Sequence, residues 1–192
     1  MLTHKGTQTL TTARLTLRRF TVGDADAMYQ NWANDKRVTR FLTWSAHESP
    51  EQTKQLLELW CTEYEKPDYY NWIIEFEHKA IGNISVVQVN NHSESAALGY
   101  CIGYHYWGRG IMTEATKAVI DYLFGEIGFH RICLGHAVKN PNSGRVARKC
   151  GLTLEGTRRE CFKSAEGEFL DISEYGILKQ EWETGKAYPK QS

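Results

Sequence analysis

Tyr104-His105-Tyr106-Trp107-Gly108-Arg109-Gly110-Ile111-Met112-Thr113-Glu114-Ala115 changes character twice within twelve residues. An aromatic strand end gives way to a turn with glycines on either side of Arg109. A helix pattern starts at once, with Ile111, Ala115, Ala118, Val119, Tyr122 and Leu123 on one side. Glycine lets a ligand approach the backbone, because no Cβ stands in the way. The first helical residues expose unpaired N–H groups where the macrodipole favours anions. Two readings follow from the turn alone: a phosphate or pyrophosphate cradle, or a plain strand-to-helix connection.

Working outward, 192 residues suit one globular domain with a full core. The 23 basic residues balance the 23 acidic ones, so no global charge directs the chain to nucleic acid or to an anionic membrane. No apolar run approaches the length of a membrane span or a secretory leader, and a cytoplasmic location is the expectation. Cys61, Cys101, Cys133, Cys150 and Cys161 are scattered and never form a C-x-x-C pair, which argues against a disulfide framework and against a zinc knuckle. His130 and His136 can share a strand face but lack a third ligand nearby, so no metal is expected.

Residues 1–9 are polar and are expected to form a flexible N-terminus, followed by one domain over 10–183 and a polar tail over 184–192. Alternation of Leu15 and Leu17 with Thr16 and Arg18 predicts a strand over 11–20. Asp24 can cap a helix over 25–34, and Ser49-Pro50-Glu51-Gln52 opens a second helix running to about 65. Strands over 70–76 and 80–89 flank the turn 77–79, and a fourth strand over 96–104 leads into the glycine element. Beyond the central helix the pattern gives a strand at 130–138, a helix at 142–150, a strand at 152–162, a turn at 164–167 and a strand at 168–178. The order β-α-α-β-β-β-α-β-α-β-β is mixed α/β, an antiparallel meander feeding a crossover helix.

Nucleotide motifs fail at the glycine turn. Gly103 to Gly108 has P-loop spacing, but Arg109-Gly110 stands where Lys and Ser or Thr are needed. Gly108 and Gly110 open a G-x-G-x-x-G whose sixth position is Thr113, and the strand ahead does not begin a βαβ unit. By contrast, Leu98-Gly99-Tyr100-Cys101-Ile102-Gly103 followed by Tyr106 to Ala115 closely resembles the acetyl-CoA motif of the GNAT superfamily of N-acetyltransferases. The branch it resembles contains the ribosomal-protein N-terminal (alanine/serine) acetyltransferases. The resemblance continues through Asn140-Pro141-Asn142-Ser143-Gly144-Arg145-Val146, Lys149-Cys150-Gly151-Leu152, Asp171 and Glu181-Trp182.

That resemblance implies a mostly antiparallel sheet that splays between its fourth and fifth strands to admit acetyl-CoA. Backbone of Cys101, Ile102 and Gly103 would pair with pantetheine. Gly108, Arg109, Gly110, Met112 and Thr113 would hold the pyrophosphate by backbone N–H groups, with Trp107, Ile111, Asn140, Ser143 and Arg145 as further cofactor contacts. Ser143 would protonate the departing sulfur, although Ser also suits an ordinary first helical turn. Many relatives carry an acidic residue where Ala97 stands, which leaves Glu160, or Glu94, as candidate base. Glu114 reads as a first-turn helix residue, and Met112 replaces a small residue common in the family. The expected function is acetyl transfer to a primary amine, foremost a protein N-terminal α-amine. Alternatives are an amino acid, polyamine or antibiotic amine, or an inactive acyl-CoA-binding module. The branch often forms homodimers, which the spacing neither requires nor excludes.

Overall fold

A computed structural model describes residues 1–185. Its elements are β1 (Leu10–Thr11), β2 (Leu15–Arg18), α1 (Ala25–Met28), α2 (Lys36–Thr39), α3 (Pro50–Glu63), β3 (Asn71–Phe76), β4 (Lys79–Asn90), β5 (Ser95–Ile102), α4 (Ile111–Tyr122), β6 (Arg131–Ala137), α5 (Pro141–Lys149), β7 (Thr153–Lys163), β8 (Phe169–Leu178) and α6 (Lys179–Glu183). One sheet runs β1-β2-β3-β4-β5-β6-β8-β7. Every neighbouring pair is antiparallel except β5–β6. This is the mixed, mostly antiparallel α/β architecture expected from the pattern, with the parallel pair created by the crossover through α4.

Alternation sorts the strands' side chains onto two faces. Leu15, Leu17, Trp72, Leu98, Ile132 and Leu134 join Ile111, Ala115 and Val119 of α4 in the main core. On the opposite face Phe20, Ile73, Ala80 and Cys101 meet Met28 of α1, Trp32 and Leu57 of α3. That second cluster contains no residue of β6, β7 or β8. Half of this face therefore lies beyond the helices, with only a small cluster of Ala137, Leu170 and Ile172 under Phe41 and Phe162.

Several boundaries differ from the expectation for local reasons. The strand over 11–20 is interrupted after Thr11, where Thr12 N–H bonds Leu15 O at 2.9 Å and the chain turns toward α4. The helix over 25–34 is preceded by a 3-10 turn (Val22–Asp24), divides into α1 and a π turn (Tyr29–Ala33), and is followed by the unanticipated α2, whose N-cap Asp35 accepts from Arg37 N–H. Asp24 spends its carboxylate on Arg18 and Thr21. The 77–79 turn takes positive φ at Glu77 (51°) and His78 (61°), the hand that matches strand twist.

Residues 1–9, expected to be flexible, make specific bonds to the rest of the chain. Thr3 N–H bonds Ile127 O at 2.9 Å, Gly6 N–H bonds Pro67 O at 2.7 Å, and the Tyr122 hydroxyl donates to Gly6 O at 2.7 Å. Thr7 is buried. Backbone groups, which composition cannot report, tie the segment down. Of the expected polar tail, 186–192 lies outside the described residues.

Burial pushes the thiols of Cys101 and Cys150 and the Tyr122 hydroxyl up to about 12, and raises Tyr64, Tyr70 and Tyr100 as well. In an unfolded chain cysteine ionises near about 8.5 and tyrosine near about 10. A raised folded value means stability is complete below the unfolded value and is lost as pH climbs past it. Urea midpoints are expected to hold steady to about pH 8.5 and then fall continuously toward pH 12. A midpoint unchanged at pH 11.5 would contradict this.

Candidate active site

The glycine turn places Gly108 at φ 75° and Gly110 at φ 76°, both in the left-handed region. A Cβ would meet nothing within 4 Å at Gly108, and at Gly110 only Arg14 Nη2 at 3.7 Å. Conformation and open access, rather than packing, therefore call for glycine here. Gly110 is the N-cap of α4 and has no side chain to satisfy the N–H groups that follow. The first N–H groups of a helix have no partner within it, and they share the macrodipole's positive end. Ile111 and Met112 turn their side chains into the core, so Met112 does not crowd the turn.

Glu114 does not answer the cradle. Its carboxylate accepts from Thr12 Oγ1 (2.6 Å), Arg14 N–H (3.0 Å) and Arg14 Nε (2.7 Å). Burial alone would raise the Glu114 carboxyl, but these bonds outweigh it and hold it below its ordinary value. Arg14 also donates to Arg109 O at 3.2 Å, bracing the turn from β2's side. Arg109 lies 5.5 Å from the Tyr106 ring centroid, its head over the aromatic face.

The expected splay is present. Register between β5 and β6 runs from Ser95↔Arg131 to Leu98↔Leu134 and stops, although β5 continues to Ile102 and β6 to Ala137. Gly103 N–H is taken by Ile81 O at 2.8 Å. Because backbone groups alternate in direction along a strand, Cys101 also faces β4, and the groups aimed into the gap belong to Tyr100 and Ile102. Of the expected trio of Cys101, Ile102 and Gly103, Ile102 alone turns its backbone groups into the gap. Trp107 Nε1 donates to Ile102 O at 2.8 Å, so the indole folds the turn back over the strand end. The Cys101 thiol points away and donates to Asn83 Oδ1 at 2.9 Å.

On the α5 side of the gap, Asn140 is the N-cap of α5 and accepts from Ser143 N–H at 3.4 Å. With the cap supplied by Asn140, the Ser143 hydroxyl is released for another bond. It lies 2.8 Å from the Tyr100 hydroxyl. Burial holds Tyr100 protonated far above its ordinary range. The sequence flagged Gly99-Tyr100 as part of a motif, but gave no sign that Tyr100 partners Ser143. Arg145 is exposed and bonds Asn142 Oδ1 at 2.9 Å. Glu160 stands on β7, the sheet's edge, exposed at φ 48°, its N–H held by Asp171 Oδ1 at 2.8 Å. β8 separates it from β6, so it is not gathered with Ser143 at the gap. Among the described residues no group of three or more His, Cys, Asp or Glu could hold a metal, and no helix is long and apolar enough to cross a membrane.

Comparison with known proteins adds a family. A model described as "Acetyltransferase (GNAT) domain" matches residues 14–153. The chain is similar to an uncharacterized N-acetyltransferase, YoaA, of Bacillus subtilis, 30% identical over 88% of this chain and 96% of that protein. A putative ribosomal N-acetyltransferase, YdaF, of the same organism is 27% identical over 80% and 84% of the two chains. The spermidine N(1)-acetyltransferase of Vibrio cholerae is 25% identical over 88% and 96%. The same fold occurs in the Microcin C7 self immunity acetyltransferase MccE, solved with acetyl-CoA and AMP, with TM-score 0.79 and 22% identity over 87% of this chain and 93% of that one.

Proposed function

Because the chain belongs to the acetyltransferase (GNAT) domain family, we propose that this N-acetyltransferase acetylates the α-amine of a protein N-terminus. Acetyl-CoA is the family's donor, and it supplies an acyl group activated as a thioester. The residues present suit it: positive-φ glycines open a path to the N–H groups of Ile111, Met112 and Thr113, which can hold a diphosphate. Tyr100 and Ile102 offer backbone groups to an extended chain lying in the gap. Ser143, hydrogen-bonded to Tyr100, stands ready to protonate a departing thiolate.

One observation carries the acceptor reading. Where β5 and β6 part, the face away from α4 is floored by Ala97, Gly99, Cys133 and Gly135 and lies outside the cluster formed under α1 and α3. Val87 stands over Gly99, and Glu174 with Ile172 over Gly135, so this small-residue floor has side walls and suits a polypeptide end. Acidity agrees with this. An α-amine, with pKa about 8, is roughly a tenth neutral at pH 7, whereas a lysine near about 10.4 is neutral only at the ~10⁻³ to 10⁻⁴ level. The relative named a putative ribosomal N-acetyltransferase points the same way.

A polyamine is the competing acceptor, favoured by the spermidine-acetylating relative and by Glu48 and Glu166, which line a cavity of about 420 Å³ between the 34–48 segment and the β7–β8 turn. Lys36 lines the same cavity, so its charge is mixed. Thiol release measured with Ala- and Ser-initiated peptides, Nα-blocked lysyl peptides, spermidine and aminoglycosides decides. Free α-amines are expected to lead blocked lysines by at least ~10-fold in kcat/KM. Equal rates, or spermidine leading, would overturn the reading. CoA binding by calorimetry without thiol release from any amine would make the protein an acyl-CoA-binding module.

A further inference from the structure

We propose that the carboxylate of Glu174 receives the proton of the attacking amine. Glu174 is on β8, directly opposite Gly135 in the β6–β8 register. A Cβ built at Gly135 would lie 3.2 Å from Glu174 Oε2 and 3.1 Å from Ile172 Cγ2. The Glu174 carboxylate thus rests on β6 in space that any larger residue at 135 would claim. Gly135 is the first β6 residue after Leu134, where pairing with β5 ends. Leu134 faces the main core, so by alternation Gly135 and Glu174 face the other side, with Ala97 and Gly99 of β5. Ser143 and Tyr100 occupy the α5 side of the same gap. A proton acceptor and a proton donor therefore flank the gap from opposite faces.

The oxygens of Glu174 are differentiated. Arg158 of β7 donates to Oε1 through both Nε (3.0 Å) and Nη2, which leaves Oε2 directed at Gly135. Glu174 is 28% exposed, reachable from solvent yet fixed in place. Its charged and titratable neighbours on this face are Arg158, the Arg131–Glu155 pair lying across β8 at Gly176, and the Cys133 thiol, which burial raises. Ala97 contributes no polar atom, and β8, on the far side of β6 from β5, supplies the carboxylate on this face.

The step balances without a co-reactant. An ammonium acceptor gives one proton to Glu174 Oε2, which passes it to solvent and is a carboxylate again. The freed nitrogen lone pair forms the C–N bond as the C–S bond breaks, and Glu174 then takes the nitrogen's second proton and releases it in turn. The sulfur departs with the bonding pair and takes a proton from Ser143, which is refilled through Tyr100 by a proton from solvent, so one proton is released for each acetyl group transferred. A carboxylate is a weak base, adequate for an α-amine and poor for a lysine.

This inference rests on the amine-transfer reading, and wild-type thiol release with the best amine of the panel tests that reading first. No turnover with any amine overturns both. With an active wild type, Glu174→Gln is expected to lower kcat/KM for the amine by roughly 30- to 1,000-fold, within the range of lost general-base catalysis. The KM for acetyl-CoA should move less than ~3-fold. The remaining rate should climb about tenfold per pH unit up to the amine's pKa of about 8, because only pre-formed free amine then reacts. Gln keeps an oxygen for Arg158, so a role as mere strut predicts a near-normal Glu174→Gln and damage only in Glu174→Ala. Glu155→Gln, which breaks the adjacent strut, should stay within ~2-fold. A Glu174→Gln enzyme with wild-type rate and pH profile, or an equal loss in Glu155→Gln, would overturn the assignment.

Discussion

Gly110→Asp is expected to raise the KM for acetyl-CoA at least ~100-fold, about 2.7 kcal/mol of lost binding. Three effects act together. The φ of 76° costs a residue with a Cβ on the order of 1 kcal/mol, which Asp tolerates better than most. The new carboxylate is an excellent N-cap, so it occupies the N–H groups of Ile111, Met112 and Thr113 that would otherwise meet phosphate. Its Cβ would lie 3.7 Å from Arg14 Nη2, near enough for the carboxylate to draw that guanidinium from Glu114 and loosen the brace on Arg109 O. Gly110→Ala separates strain from charge: it carries the φ penalty alone and should shift KM less than ~10-fold. Calorimetry with CoA and initial rates over acetyl-CoA concentration provide the check. A folded Gly110→Asp protein that binds CoA within ~3-fold of wild type would refute the cradle.

That same turn shows what was legible in advance. Its glycines, the helix after it and the anion preference follow from neighbours in sequence, and all could be read. The brace could not. Thr12 and Arg14 reach Glu114 across about a hundred residues, and the apparent oddity of an acidic side chain beside a phosphate site dissolves only when Arg14 is seen to hold it. The fold was legible for a related reason: alternation and helix caps such as Ser49, whose side chain accepts from Gln52 N–H, are local signals. The bonds of residues 1–9 to Ile127 and Pro67 could not be read, because backbone groups leave no trace in side-chain polarity.

At the site, a cofactor gap between β5 and β6 came from resemblance, but which backbone groups face it depends on register. Ile81 O claims Gly103 N–H, and that single bond fixes the direction of every group back to Tyr100. Glu160 looked eligible as an acidic residue on the strand after α5. Yet the strand order places β7 outside β8, and a carboxylate one strand nearer, Glu174, stands against Gly135 instead. Glu174 carried no motif, and Gly135 gave no hint of making room. Pairings between non-consecutive strands decide such matters, and no local pattern encodes them.

Ser143→Ala is expected to lower kcat about 100-fold with less than ~3-fold change in the KM for acetyl-CoA, the loss typical of a removed general acid. Helix capping does not confound this variant, because Asn140 rather than Ser143 caps α5. The truncation leaves the Tyr100 hydroxyl only its 3.3 Å bond to Ser143 O, so a stability loss of about 1 kcal/mol is expected and the protein should stay folded. Tyr100→Phe tests the partner. A serine hydroxyl gives up its proton readily only if another replaces it, and the Tyr100 hydroxyl at 2.8 Å is held protonated by burial across the working pH range. Its removal should cost kcat about tenfold while Ser143 still offers one proton, restored more slowly from water. If the two act as a unit, the double variant falls no further than Ser143→Ala alone, since groups in one relay are not additive. Strictly additive losses would show two independent roles, and a Ser143→Ala kcat within ~2-fold of wild type would leave Ser143 as a helix residue and send the search for the acid elsewhere along the gap.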